Sequence, residues 1–147
     1  MNKQILTIQQ VQYIAHELAS KYMKWDEPIP DFSTRFTNIL ESCLLVPFQT
    51  FDGKYIYKGL VGKASILFYL MIKNHPFQNG NKRLAVTTLL VFLANNDKWL
   101  EVGNQEFYNF AVWIAQSPPS FKDQVVNAIN KFIKDHLADL PGAANRN

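Results

Sequence analysis

The sequence predicts an all-α domain of about six helices around a buried central helix, with one β-hairpin. Three observations predict it. Apolar residues recur at three- and four-residue spacing through most of the chain. The run LAVTTLLVFLA, residues 84–94, is apolar nearly all round, the mark of a helix buried on every face. Phe48 to Lys58, FQTFDGKYIYK, places aromatic and β-favouring residues on both sides of Asp52-Gly53, a strong two-residue hairpin signal.

Each element follows from local chemistry. Thr7 caps a first helix over 7–23, with Ile8, Val11, Ile14, Ala15, Leu18 and Tyr22 at helical spacing. Pro28 and Pro30 break the chain. A second helix spans 32–46, with Phe36, Ile39, Leu40, Cys43 and Leu44 on its inner side. Pro47 ends it, because proline disfavours helical geometry in the residue before it. After the hairpin come a third helix over 60–73, a loop over 74–80 and the apolar fourth helix over 81–95. Residues 98–102 read as a short strand. Asn104 caps a fifth helix to Gln116, with Phe107, Phe110, Ala111 and Ile114 inward. Ser120 and Asp123 resemble a capping box. It opens a sixth helix carrying Val125, Val126, Ile129, Phe132, Ile133 and Leu137.

Composition narrows the class. The chain has 147 residues, 48% hydrophobic, 18% charged and 14% aromatic. That is too apolar and too aromatic for a disordered chain. It is also long enough to bury a real core without staples. One cysteine, Cys43, gives no disulfide framework and no thiol-rich metal site. No repeat or linker divides the chain, so the expectation is one domain over 1–140 and a flexible tail over 141–147. The opening residues do not read as a signal peptide, and no stretch reaches the ~18 apolar residues of a membrane span. A cytoplasmic protein is expected. Fifteen Lys and Arg against twelve Asp and Glu leave +3, with the basic residues scattered. A nucleic-acid partner is therefore not expected.

The informative segment is His75-Pro76-Phe77-Gln78-Asn79-Gly80-Asn81-Lys82-Arg83. A polar loop runs directly into the most apolar helix. Lys82 and Arg83 stand in its first turn, where negative charge is favoured by ~0.3–1 kcal/mol. Cations beside free backbone N–H groups concentrate positive potential, and an anion such as phosphate reconciles the arrangement. Gly80 allows a positive φ and a close backbone approach to a ligand. His75 is the nearby group able to exchange a proton near neutral pH.

The segment resembles the signature of the Fic/Doc family, His-Pro-Phe-x-(Asp/Glu)-Gly-Asn-x-Arg, at His75, Pro76, Phe77, Gly80, Asn81 and Arg83. The resemblance extends over roughly 7–96 and is closest to Doc-type (death-on-curing) toxins. AMP-transferring Fic enzymes usually have Gly after the motif asparagine, whereas Doc-type proteins have Lys, as Lys82 is here. The resemblance implies a Fic/Doc-like helical fold and a toxin of a toxin–antitoxin system. Such a toxin transfers the γ-phosphate of ATP to a Ser or Thr hydroxyl of a bacterial protein such as elongation factor Tu. It implies His75 as general base, Gly80 and Asn81 in the phosphate-holding loop, and Lys82 and Arg83 neutralising phosphate charge. Phe77 would anchor the loop. Phe51, Asp52, Gly53, Lys54 and Tyr55 would form a flap that docks the target. The family usually has an acidic Mg2+ ligand where this chain has Asn79, a weaker ligand for a hard cation. The alternatives are an AMP-transferring enzyme and a non-catalytic binding module. Thr37 to Ser42 nearly matches the family's inhibitory motif but lacks its final residue. It reads as helix core, so a separate antitoxin chain is expected.

The remaining candidates have plainer readings. Cys43 is expected to be a buried, inert thiol. His16 and His136 are expected at or near the surface, and Trp25, Trp99 and Trp113 in the core or at its boundary. Phe48, Phe51, Tyr55 and Tyr57 are expected to pack the hairpin against the helices rather than to stack RNA bases. Lys58 and Lys63 are expected to be solvated.

Overall fold

The computed structural model describes residues 5–22 and 28–142. The Tyr22 side chain, Trp25 and the tail over 143–147 lie outside the described residues. Helix α1 is continuous over 8–22, in three pieces: Ile8–Gln10, a π-helical Val11–Ala15, and His16–Tyr22. Thr7 caps it, and the Gln10 side chain returns a bond to the Thr7 N–H. Then follow α2 (Thr37–Leu45), strands β1 (Thr50–Phe51) and β2 (Lys54–Tyr55), and helices α3 (Gly59–Lys73) and α4 (Asn81–Ala94). Strand β3 (Lys98–Leu100), helices α5 (Asn104–Gln116) and α6 (Lys122–His136), and strand β4 (Leu137–Asp139) complete the chain. The all-α architecture with a hairpin is as the sequence predicts.

The expected central helix is α4, and α3 lies buried beside it. α3 buries ten consecutive residues, Lys63 to Ile72, and α4 is buried on nearly every face. They pack against each other along their lengths, with α1 against α4 and with α5 and α6 against α3. The buried apolar residues form one cluster. Among the described residues, no helix is long and apolar enough to cross a membrane.

Several local expectations give way to tertiary context. The π-helical turn carries an extra residue per turn and rotates α1. Val11, Ala15 and Ala19 therefore face inward while Ile14 is exposed. The second helix starts later than predicted. Asp31 caps a 3-10 turn, Phe32–Thr34, and Arg35 and Phe36 are extended before α2 begins. Leu40, Cys43 and Leu44 are buried, but Phe36 and Ile39 are exposed. Gly103, not Asn104, is the N-cap of α5. The Ser120 capping box does not form, because a 3-10 turn over Pro119–Phe121 delays α6 until Lys122. β3 finds an unforeseen partner: β4 pairs with it antiparallel, Lys98 with Asp139 and Leu100 with Leu137.

Candidate functional site

The loop before α4 is tied down at every turn. Phe77 is 1% exposed and sits among the rings of Phe32, at 5.9 Å, and His16, at 6.4 Å. His16 is half-buried, its Nε2 2.8 Å from the Pro30 carbonyl. The Phe36 N–H donates to the Pro76 carbonyl at 2.9 Å, which fastens the loop to the start of α2. The Asp31 carboxylate accepts from the Ser33 N–H and hydroxyl, which hold its pKa below the ordinary carboxylate range.

His75 is exposed, with φ +51°. A non-glycine residue in the left-handed region is uncommon, and such strain concentrates at functional positions. Gly80 also has a positive φ, +69°, as the sequence predicts. The close approach it permits is of another kind, however. A Cβ there would lie 2.7 Å from Ile29 Cδ1 and 3.3 Å from the Pro28 carbonyl oxygen. The chain itself, not a ligand, occupies that face of Gly80.

Gly80 is the N-cap of α4 and supplies no side-chain cap, and the first turn holds no acidic residue. The early N–H groups of a helix have no intrahelical acceptor. Here they lie beside Lys82, which is half-buried. Arg83 is placed differently. It is 7% exposed, and one guanidinium nitrogen donates to the Ala19 carbonyl of α1 at 3.0 Å. Asn81, also buried, has its amide engaged with the Phe77 backbone and with His75. Asn79 and Gln78 are exposed.

The model of the Fic/DOC family matches residues 5–93, which include the whole loop, α4 up to Leu93 and the hairpin. The chain belongs to that family. No curated protein and no solved structure matches the chain. The Fic/DOC motif thus stands in a loop that opens a buried helix, with its histidine at the surface.

The hairpin lies earlier in the matched region. Asp52 and Gly53 both have positive φ, +54° and +75°, the type I′ turn that suits a two-residue connection. Thr50 pairs with Tyr55 and Phe51 with Lys54. The expected packing of its aromatics is only half realised. Phe48 and Tyr57 are half-buried, but Tyr55 is exposed and Phe51 is 79% exposed.

Lys63 corrects the expectation of a solvated charge. It is 2% exposed. Its Nζ donates to the Tyr57 carbonyl at 2.8 Å and lies 3.9 Å from the centroid of the Tyr55 ring. A buried ammonium is costly unless it is hydrogen-bonded, and an aromatic face adds attraction. Lys63 thereby fastens the base of the hairpin to α3. The signal was present in the sequence: Lys63 is the one charged residue between Gly59 and Lys73, in an otherwise largely apolar run. Lys58 is exposed, as expected.

A cavity of about 340 Å³ is lined by Asn38, Ile39 and Ser42 of α2 and by Asn74, the residue before His75. Asn38, Ile39 and Ser42 belong to the Thr37 to Ser42 stretch expected as helix core, but only Leu40 of that stretch is buried and the others are exposed, because the late start of α2 turns them outward. Cys43 is buried, and burial pushes its thiol pKa up to about 12, which makes it a poor nucleophile. Trp99 is half-buried and Trp113 is exposed, stacked on Phe110 at 5.7 Å. His136 is half-buried, 3.3 Å from the Glu106 carboxylate.

The donor set does not fit a metal held by this chain alone. The motif position that would bear a carboxylate carries the neutral Asn79 amide. Among the described residues, no cluster of three His, Cys, Asp or Glu side chains could hold an ion.

Proposed function

We propose that this Fic/DOC protein transfers the γ-phosphate of ATP to a Ser or Thr hydroxyl of a target protein, as a Doc-like toxin. The observation that carries the reading is the α4 N-terminus, with Gly80 as an N-cap that offers no side chain, no acidic residue in the first turn, Lys82 in that turn and the exposed His75 leading into it. Backbone N–H groups and a lysine suit a polyphosphate better than any neutral ligand. In this reading the N–H groups of the first turn and Lys82 orient the phosphates and neutralise the charge that redistributes in the transition state. His75 takes the proton of the attacking hydroxyl. Arg83 acts from behind, holding α4 to α1 through Ala19. The hairpin edge at Phe51 to Tyr55 receives the target as an added strand. The target is a bacterial protein such as elongation factor Tu, and a separate antitoxin chain restrains the toxin in the cytoplasm.

Lys82, where Fic-type members have glycine, favours phosphoryl over nucleotidyl transfer. Asn79 favours a second reading, a binding module that keeps the fold without the chemistry. Label transfer separates them. Purified protein is mixed with elongation factor Tu or bacterial lysate, with ATP labelled at the γ- or the α-phosphate and magnesium present. Label transferred only from the γ position, and lost in His75→Ala, supports the kinase. Label from the α position replaces it with AMP transfer. No label from either position leaves the binding module.

A further inference from the structure

We propose that Asn81 is a positioning residue that decides which ring nitrogen of His75 carries the proton. The Asn81 Oδ1 accepts from the Phe77 N–H at 3.0 Å, and its Nδ2 donates to the Phe77 carbonyl at 2.9 Å. The same Nδ2 lies 3.3 Å from His75 Nδ1. The orientation of a side-chain amide follows from its hydrogen-bond network. Here both backbone groups of one residue fix it, because the Phe77 N–H can only donate and its carbonyl can only accept. Turning the amide over would set N–H against N–H and oxygen against oxygen inside the loop. The second proton of Nδ2 therefore faces His75 Nδ1, and that nitrogen accepts.

A neutral imidazole has one donor and one acceptor nitrogen, and the bond made by one decides the state of the other. With Nδ1 accepting, Nε2 carries the proton. Among the described residues, His75 makes no other hydrogen bond that would reverse this.

The consequence rests on the proposed transfer reaction. In the free protein His75 is a donor at Nε2, suited to meeting an anionic oxygen, and is not yet a base there. It becomes a base at Nε2 when one proton leaves Nε2 to water and one reaches Nδ1 from water, so that the ring stays neutral. That exchange requires the Asn81 amide to give its N–H to a different acceptor, and a phosphate oxygen of bound ATP is one. Binding of the phosphate donor would then arm the base, and the free protein would idle.

The test reads the ring nitrogens directly. Protein carrying ¹⁵N in its histidine rings is studied by long-range ¹H–¹⁵N correlation NMR at a pH where imidazoles are neutral. His75→Gln identifies the His75 signals against those of His16 and His136. The free protein should show His75 with an unprotonated Nδ1 and a protonated Nε2, and a protonated Nδ1 overturns the proposal. In Asn81→Asp the carboxylate can only accept, so the folded variant should move the proton to Nδ1. A folded variant that keeps it on Nε2 shows that Asn81 does not set the tautomer. If that variant does not fold, as read by circular dichroism, the wild-type spectrum decides alone. Adding ATP should shift the wild-type ring toward protonated Nδ1, and an unchanged spectrum in ATP-saturated protein removes the arming step. Failure of label transfer in the preceding assay would overturn the transfer reading and leave the free-protein tautomer standing.

Discussion

The loop at 75–83 and the hairpin at 50–55 are both polar excursions from the same helical core, yet they are built on opposite principles. Contacts hold the loop from four directions: Phe77 in the core, Asn81 across its neck, Pro76 bonded to Phe36, and Ile29 close over Gly80. The hairpin has two residue pairs, an exposed tip and a base secured by Lys63 and Phe48. In the proposed function, rigid placement suits the loop, which would hold reacting atoms, since small misplacements cost large factors in rate, and a loosely held edge suits the hairpin, which would accept another chain.

Substitutions sharpen this contrast, beginning where the loop meets the core. Phe77→Ala should cost about 3–5 kcal/mol, the usual range for a buried phenylalanine, read as a lower denaturant midpoint at unchanged slope. Gly80→Ala should also destabilise, by about 1–2 kcal/mol, since the backbone there is left-handed and the new Cβ crowds the Pro28 carbonyl. A midpoint equal to wild type in either variant would mean that the loop is not braced as described.

At the hairpin base, Lys63→Ala leaves the Tyr57 carbonyl without its donor and should cost about 1–3 kcal/mol. Amide exchange at Ile56, whose N–H bonds to the Gln49 carbonyl, should accelerate more than exchange within α4. Equal acceleration in both places would erase the distinction between the regions. At the hairpin tip, Phe51→Ala should change stability by less than about 0.5 kcal/mol, as exposed substitutions do. It should nevertheless lower transfer to a protein target without altering ATP affinity. Full transfer by this variant would remove the tip from target docking.

The smallest expected effect is at Asp31, which caps the 3-10 turn packed over the loop. Its folded pKa is depressed, so its contribution is present above the ordinary carboxylate range and is lost as acid protonates it. Asp31→Asn should flatten that part of the acid unfolding curve, and a curve superimposable on wild type would deny the cap any role.

The loop was legible in the sequence because its residue types are out of place for a plain helix start. Cations stand where acids belong, and a glycine precedes a run of apolar residues. The helical core was legible from periodicity, down to Thr7 as a cap. What was hidden depends on pairs distant in the chain. Ile29 meets Gly80 across fifty residues, and Arg83 reaches back to Ala19. β4 has meaning only beside β3. Lys63 misled because lysine is almost never buried unless paired, and its partners are supplied by the hairpin's fold. The late start of α2 has the same origin, since Phe36 gives its N–H to Pro76 rather than to a helix.

In the proposed function the α4 N-terminus is a polyphosphate cradle with the base set beside it, so that binding and chemistry are separable. Calorimetric titration of ATP into wild type, His75→Ala and Lys82→Glu tests it most directly. Wild type and His75→Ala should bind with similar affinity, and Lys82→Glu should bind at least about tenfold more weakly, the equivalent of about 1.4 kcal/mol. Undiminished binding by Lys82→Glu, or no binding by wild type, would contradict the account.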